Sequence, residues 1–150
     1  MSATLLDPDV LSSARPVTLP AAERRPSAPR WAGRVLSGLA AAFLGVNAVV
    51  GLLALPAAVE GTRQLGFDPA VLFPFALIQL AMLALYLVPR TAVLGAVLWT
   101  GWLGGAIATH VRHGDPMFTH VLFPLYVAVP LWLGLYLRDA RVRALLGPAR

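Results

Sequence analysis

The chain has 150 residues, 58% of them hydrophobic and only 13% charged, with 12 basic residues that are all arginine, 7 acids and no cysteine. Soluble domains run at about 45–50% apolar and about 25% charged, so this composition fits a bilayer as solvent. The missing cysteine excludes disulfide staples, thiolate metal sites and redox chemistry by a Cys pair. Arginines that flank apolar segments, without interleaved aromatics, argue against nucleic acid as a partner.

Residues 1–30 hold Pro8, Pro16, Pro20, Pro26 and Pro29 and little apolar periodicity. They predict a disordered tail, with one transient helical turn at most over Leu5–Leu11. No apolar run follows an early charged region, so the segment does not read as a signal peptide.

The charges then divide the chain into four apolar intervals. Arg34 to Glu60 encloses 25 uncharged residues, Asp68 to Arg90 and Arg90 to Arg112 enclose 21 each, and Asp115 to Arg138 encloses 22. About 20 apolar residues cross the hydrocarbon core as a helix. The prediction is an all-α, integral membrane four-helix bundle over residues 31–146, with helices at about 34–59, 69–88, 91–110 and 119–137. A short interfacial segment, 138–150, should lie along the headgroups, its arginines alternating with Val142, Leu145 and Leu146.

The first helix has two faces at 100° per residue. Ser37, Ala40, Ala41, Leu44, Asn47, Ala48 and Gly51 fall together, opposite Val35, Leu39, Ala42, Val46, Val49, Val50 and Leu53. Small and polar residues pack against other helices in a membrane, so the branched face should meet lipid and Asn47 should point inward near mid-bilayer. The second helix aligns Gln79 and Tyr86, seven residues apart, which with Asn47 form candidate intramembrane contacts to a substrate or to one another. Pro69 and Pro74 fall in its first turns, where proline is cheapest, and Pro89 ends it.

The third helix carries Gly101, Gly104, Gly105 and Ala108 as one smooth stripe, expected to be the seam for close helix packing. Trp99 and Trp102 lie too deep for an interfacial belt, so at least one should pack inside. In the fourth helix Pro124 and Pro130 leave the carbonyls of His120 and Tyr126 without helical partners.

Ten arginines precede the first helix, join the second to the third or follow the fourth; only Arg63 and Arg112 lie on the other side. By the positive-inside rule both termini are cytoplasmic. That outer side collects Glu60, His110, Arg112, Asp115 and His120, with His113 between them. Three histidines and two carboxylates can bind a metal, relay protons or hold a quinone headgroup. Equally, they are wet interfacial residues shaping a loop. No tight ligand pair such as HxxxH exists, so no metal site is assigned. Both bracketing histidines sit at the bundle's edge, which disfavours haem. His110 falls about 180° from the glycine stripe and so should face away from the seam.

The segment TAVLGAVLWTGWLGGAIATHVRHGDPMFTHVLFP strongly resembles the DoxX-like family of small bacterial four-helix membrane proteins. RVLSGLAAAFLGVNAVVGLLALPAAVEGTRQLGF resembles that family's first helix and outer loop. The resemblance implies a multi-pass protein of the bacterial inner membrane. It also implies an accessory or quinone-associated subunit of a membrane redox complex, since related proteins serve quinone-linked sulfur oxidation or oxidative-stress complexes. Its polar positions carried here are Glu60, His110, His120, Arg112 and Asp115. The acid that many relatives have near Asn47, and the lysine near Gly51, are both missing. The alternative class is a non-catalytic small transporter or lipid-interacting protein. The bilayer is a partner in either case; other redox subunits and a homo-oligomer stay open.

Overall fold

A computed structural model describes residues 28–146; the expected tail, up to residue 27, lies outside the described residues, as do residues 147–150. Among the described residues the chain is helical, with no strand. In chain order it forms α1 (Ala28–Leu52), α2 (Pro56–Gln64), a 3₁₀ turn (Pro69–Val71) leading into α3 (Leu72–Leu87), and α4 (Ala92–His113). A π-helical turn (Met117–Val121) then leads into α5 (Phe123–Arg138), followed by α6 (Ala140–Leu146). Four of these segments are long and apolar enough to cross a membrane: Ala28–Leu52, Pro69–Leu87, Ala92–His113 and Met117–Arg138.

The four long helices close a ring: α1 packs on α3 and α5, and α4 packs on the same two. Of the seven residues of α1 read as inward, Ser37, Ala40, Ala41, Leu44, Ala48 and Gly51 are buried, joined by Gly33; Asn47 is not. The branched face, including Leu39 and Val46, is exposed where lipid would be. Large exposed apolar side chains such as Phe73, Leu94, Val97 and Val129 continue that surface around the ring. A multi-pass membrane protein presents this inversion of a soluble surface.

The first helix is shorter than its 25-residue uncharged interval. It stops at Leu52, not at residue 59, because Pro56 has no backbone N–H and pushes Leu55 into an extended conformation (ψ 148°). Ala54 turns the chain at φ +47°, a left-handed conformation that costs a non-glycine residue about 1–2 kcal/mol. Pro56 then opens α2, at a position where its missing donor costs nothing. Asn47 therefore lies five residues from the end of α1, about 7.5 Å at the usual rise. Its side chain is exposed at the flank of the ring, outside the buried face.

The glycine stripe is a second correction. A Cβ placed on Gly101, Gly104 or Gly105 would meet nothing within 4 Å, so these residues do not form the packing seam. The close approaches occur elsewhere. At Gly95 a Cβ would stand 2.6 Å from Tyr86 Cα, on the α3–α4 contact. At Gly33 and Gly134 it would stand 2.9 and 3.0 Å from the partner glycine's carbonyl, on the α1–α5 contact. Trp99 and Tyr86, exposed by 1% and 0%, fill the space left by Ala40, Ala92 and Ala96.

The segment after α5 is more than an interfacial strip. Val142 of α6 is buried in the same core. Arg143 donates to the carbonyls of Tyr136 and Leu137 (3.1 and 2.7 Å), and Arg138 to that of Tyr86 (3.2 Å). Arg141 donates to Pro89 O and pairs with Asp139 at 2.8 Å. These cations satisfy carbonyls that helix ends leave orphaned. The Arg141 pair holds the Asp139 carboxyl below its ordinary range.

Candidate functional site

The histidine end is built by the way α4 stops. The helix continues to His113, one turn beyond its predicted end at 110. Gly114 adopts φ +83° and brings its own N–H (3.1 Å) and that of Asp115 (3.1 Å) onto the carbonyl of His110. A left-handed glycine in this position is the usual C-terminal stop. It folds the chain back over the last turn, so that Asp115 meets the side chain of His110.

His110 Nδ1 and Asp115 Oδ2 are 2.6 Å apart, and both side chains are mostly buried. An ionised carboxylate only accepts, so Nδ1 carries the proton and donates it. In the neutral ring Nε2 is then left as an acceptor. The hydrogen bond from His110, with the charges of His113 and His120, holds the Asp115 carboxyl below its ordinary value against the opposing pull of burial. His113 Nε2 is 3.9 Å from the other oxygen of Asp115. His120, in the π-helical turn, lies edge-on to His110 with ring centroids 5.7 Å apart, and its Nδ1 is 2.9 Å from Thr119 Oγ1.

The predicted outer-face residues divide accordingly. His110, Asp115 and His120 come together, with His113 added. Glu60 does not join them; it accepts from Gln64 Nε2 (3.1 Å) on its own helix. Arg112 lines a shallow depression of about 250 Å³ with Gln64, Leu65, Gly66, Phe67, Thr109 and His113, so the stretch after α2 approaches α4 through Gln64–Phe67. Among the described residues, no group of three His, Asp or Glu side chains has the geometry to hold a metal ion.

Below the histidines a groove of about 530 Å³ opens between the α2–α3 connection and α4. Phe67, Phe75 and Trp102 line it as a chain of edge-on rings, with centroids 6.4 and 5.1 Å apart. Gly101 and Gly105 form its floor and His110 its polar rim. The groove is therefore open because the stripe carries no side chains, and His110 shares it with the glycines. His110 and the glycines border this one groove although they lie well apart around the regular helix α4.

The intramembrane trio also divides. Asn47 and Gln79 line one further groove, of about 410 Å³, between α1, α2 and α3. Tyr86 is not part of it. Its phenol lies in the core, 2.9 Å from Leu131 O and 3.0 Å from Ser37 Oγ. The phenol's single proton goes to the carbonyl, and the Ser37 hydroxyl can donate to the phenol oxygen. Arg138 sits over the ring, 5.0 Å from its centroid. Tyr86 ties three helices together.

Sequence reasoning missed Phe67 and Thr109 as lining residues and Ser37 as Tyr86's partner. The Gly114-Asp115-Pro116 run after a periodic segment was the one available signal for the helix stop that creates the His110–Asp115 pair. Residues 35–134 match the sequence model of the DoxX-like family. No curated protein and no solved structure matches the chain at a significant level.

Proposed function

We propose that this chain, which belongs to the DoxX-like family, binds the ring of a lipid-soluble quinone in the groove beneath His110 and acts as a quinone-associated accessory subunit of a membrane redox complex. One observation carries the reading: His110, held by Asp115 at 2.6 Å, rims a groove of about 530 Å³ that is otherwise apolar and aromatic. Small-molecule sites are concave, mostly apolar and of about 300–1,000 Å³, with few polar groups fixing orientation. The residues present fit a quinone: Phe67, Phe75 and Trp102 offer ring edges and faces, Gly101 and Gly105 leave room, and His110 offers one hydrogen-bonding nitrogen.

A bound quinone would supply two-electron, two-proton redox chemistry. The chain's own part is positional. Asp115 keeps Nδ1 of His110 protonated, so that proton exchange with the groove is confined to Nε2. The neutral ring accepts from a hydroxyl there, and the protonated ring donates to a carbonyl. His120 and His113 place further proton-carrying groups beside this pair at the rim.

The same proposal sets the protein in a bacterial inner membrane with both termini cytoplasmic. The arginine asymmetry supports that orientation, and the histidine rim then faces outward.

The test is quinone content after purification of the full chain from its own membrane. Wild-type protein should retain quinone, while His110→Ala and Gly105→Leu, which fills an open floor, should each lose most of it. Unchanged content in both variants refutes the site. Retention of phospholipid alone by the wild type favours the non-catalytic lipid-interacting alternative.

A further inference from the structure

Trp99 Nε1 and Arg138 Nε are buried without a partner among the described residues, whereas several of the bundle's side-chain hydroxyls and the Trp132 indole are bonded. Tyr86 is bonded to Ser37 and Leu131, Thr100 and Thr109 to carbonyls one turn back, and Trp132 to Thr100. The carboxamides of Asn47 and Gln79 differ. They come from two helices, line the same groove of about 410 Å³, and have no hydrogen-bond partner among the described residues.

Asn47 is exposed and Gln79 half-buried, and where such a surface meets hydrocarbon a carboxamide finds nothing to bond unless a polar group is brought to it. Two such groups facing one cavity ask for a polar occupant. Thr62 adds a hydroxyl to the same wall; the rest is apolar, from Val50, Leu65, Leu72 and Phe75. No charged side chain lines the groove. A charged head would be desolvated there without a counter-ion, which is far more costly than seating a neutral one. A carboxamide also donates and accepts at once, so a pair of them suits a head that does both.

We infer that the α1–α2–α3 groove is a second binding site, for a neutral amphiphile whose amide or hydroxyl head hydrogen-bonds Asn47 and Gln79. It is a separate seat from the histidine groove. Thr62, Leu65 and Phe75 line both and form the wall between them. The roof is α2, which buries none of its residues and is joined to the chain through left-handed turns at Ala54 and Gly66. Those features leave it the least tightly held element over the site, which suits entry from the lipid side. The inference does not rest on the quinone reading, since no residue of the His110–Asp115 pair takes part.

The test uses the full chain in phospholipid nanodiscs and an oleamide carrying a photoreactive diazirine in its acyl chain, with adducts mapped by mass spectrometry. Labelling should fall on the segments around residues 47–62 and 72–79. Unlabelled oleamide should compete at least about tenfold better than the permanently charged oleyl-trimethylammonium, consistent with the cost of burying an unpaired charge. Asn47→Leu and Gln79→Leu, near in size and apolar, should each weaken oleamide competition about five- to tenfold, the loss of one hydrogen bond. His110→Ala should leave oleamide labelling unchanged while removing quinone, so the two sites fail independently. Equal competition by neutral and charged probes in the wild type overturns the inference. So does unchanged oleamide competition in both leucine variants, which would mean that the carboxamides are merely hydrated.

Discussion

Adding one methyl group at Gly95 should destabilise the bundle, whereas adding it at Gly101 or Gly105 should not. A Cβ on Gly95 would stand 2.6 Å from Tyr86 Cα and 2.9 Å from the carbonyl carbon of Leu85. Ordinary carbon contacts are about 3.5–4.0 Å, so α3 and α4 must separate by roughly 1 Å. The obstacle is backbone on a packed helix, which cannot swing aside as a side-chain tip can. Overpacking of this kind costs typically about 1–3 kcal/mol, and the upper end applies against backbone. The better helix propensity of alanine returns about 1 kcal/mol. The displaced residue is Tyr86, whose phenol bonds Leu131 O at 2.9 Å and Ser37 Oγ at 3.0 Å; weakening that tie adds about 0.6 kcal/mol or more. Gly95→Ala should therefore lose about 2–3 kcal/mol. Gly101→Ala and Gly105→Ala meet nothing within 4 Å and should be neutral or gain up to about 1 kcal/mol each. Thermal unfolding of the three purified variants in one detergent, followed by circular dichroism, ranks them. If Gly101→Ala or Gly105→Ala melts as far below the wild type as Gly95→Ala, the stripe is a seam after all and the open groove is wrong.

Acid should loosen the turn that closes α4. Asp115 is held below its ordinary carboxylate value by His110, so its contribution is present above the unfolded value and lost as pH falls through the folded one. The melting-temperature gap between wild type and Asp115→Asn should persist above about pH 4 and close below it; a gap that stays open well below the carboxylate range opposes the pairing. For topology, a reporter active only outside the cytoplasm should stay silent when fused after Arg150, and activity there overturns the proposed orientation.

Much of the fold was legible because charges and apolar faces report the solvent directly. Most of the inward face of α1 followed from period 3.6, since Ser37, Ala40, Ala41, Leu44, Ala48 and Gly51 fall together opposite Leu39, Val46 and Val49; only Asn47 was misplaced. What failed depends on which neighbour a face meets. Gly101, Gly104 and Gly105 form a smooth stripe in any helical wheel, but a wheel does not say whether another helix arrives. Gly95 arrives against Tyr86 because the short Val88–Thr91 connection draws α3 and α4 together at that end, and α2 with its flanking turns holds open the other. The first helix was overextended because Pro56 is uncharged and so lay hidden inside an interval bounded by charges. At the site, every residue of the His110–Asp115 pair was legible as a polar cluster. Their pairing was not, because it depends on the left-handed turn at Gly114.

The two ends of the bundle use their polar groups in opposite ways, and the proposed quinone site lies at the less committed end. At the terminal end three arginines bond protein groups: Arg138 to Tyr86, Arg141 to Asp139 and Pro89, Arg143 to the last carbonyls of α5. They close orphaned helix ends, although Arg138 Nε stays buried without a partner among the described residues. At the histidine end the polar groups are positioned but not exhausted. His110 is pinned through one nitrogen only; Asn47, nearer this end, and Gln79, midway along α3, keep their donors and acceptors free among the described residues. That end also contains the looser backbone: the left-handed residues Ala54, Gly66 and Gly114, the π-helical turn at Met117–Val121, and α2 with nothing buried. Segments that admit ligands come from the weakly packed end of a structure. Substitutions at Arg138 or Arg143 should accordingly act on stability, and those at His110, Asn47 and Gln79 on what the protein binds.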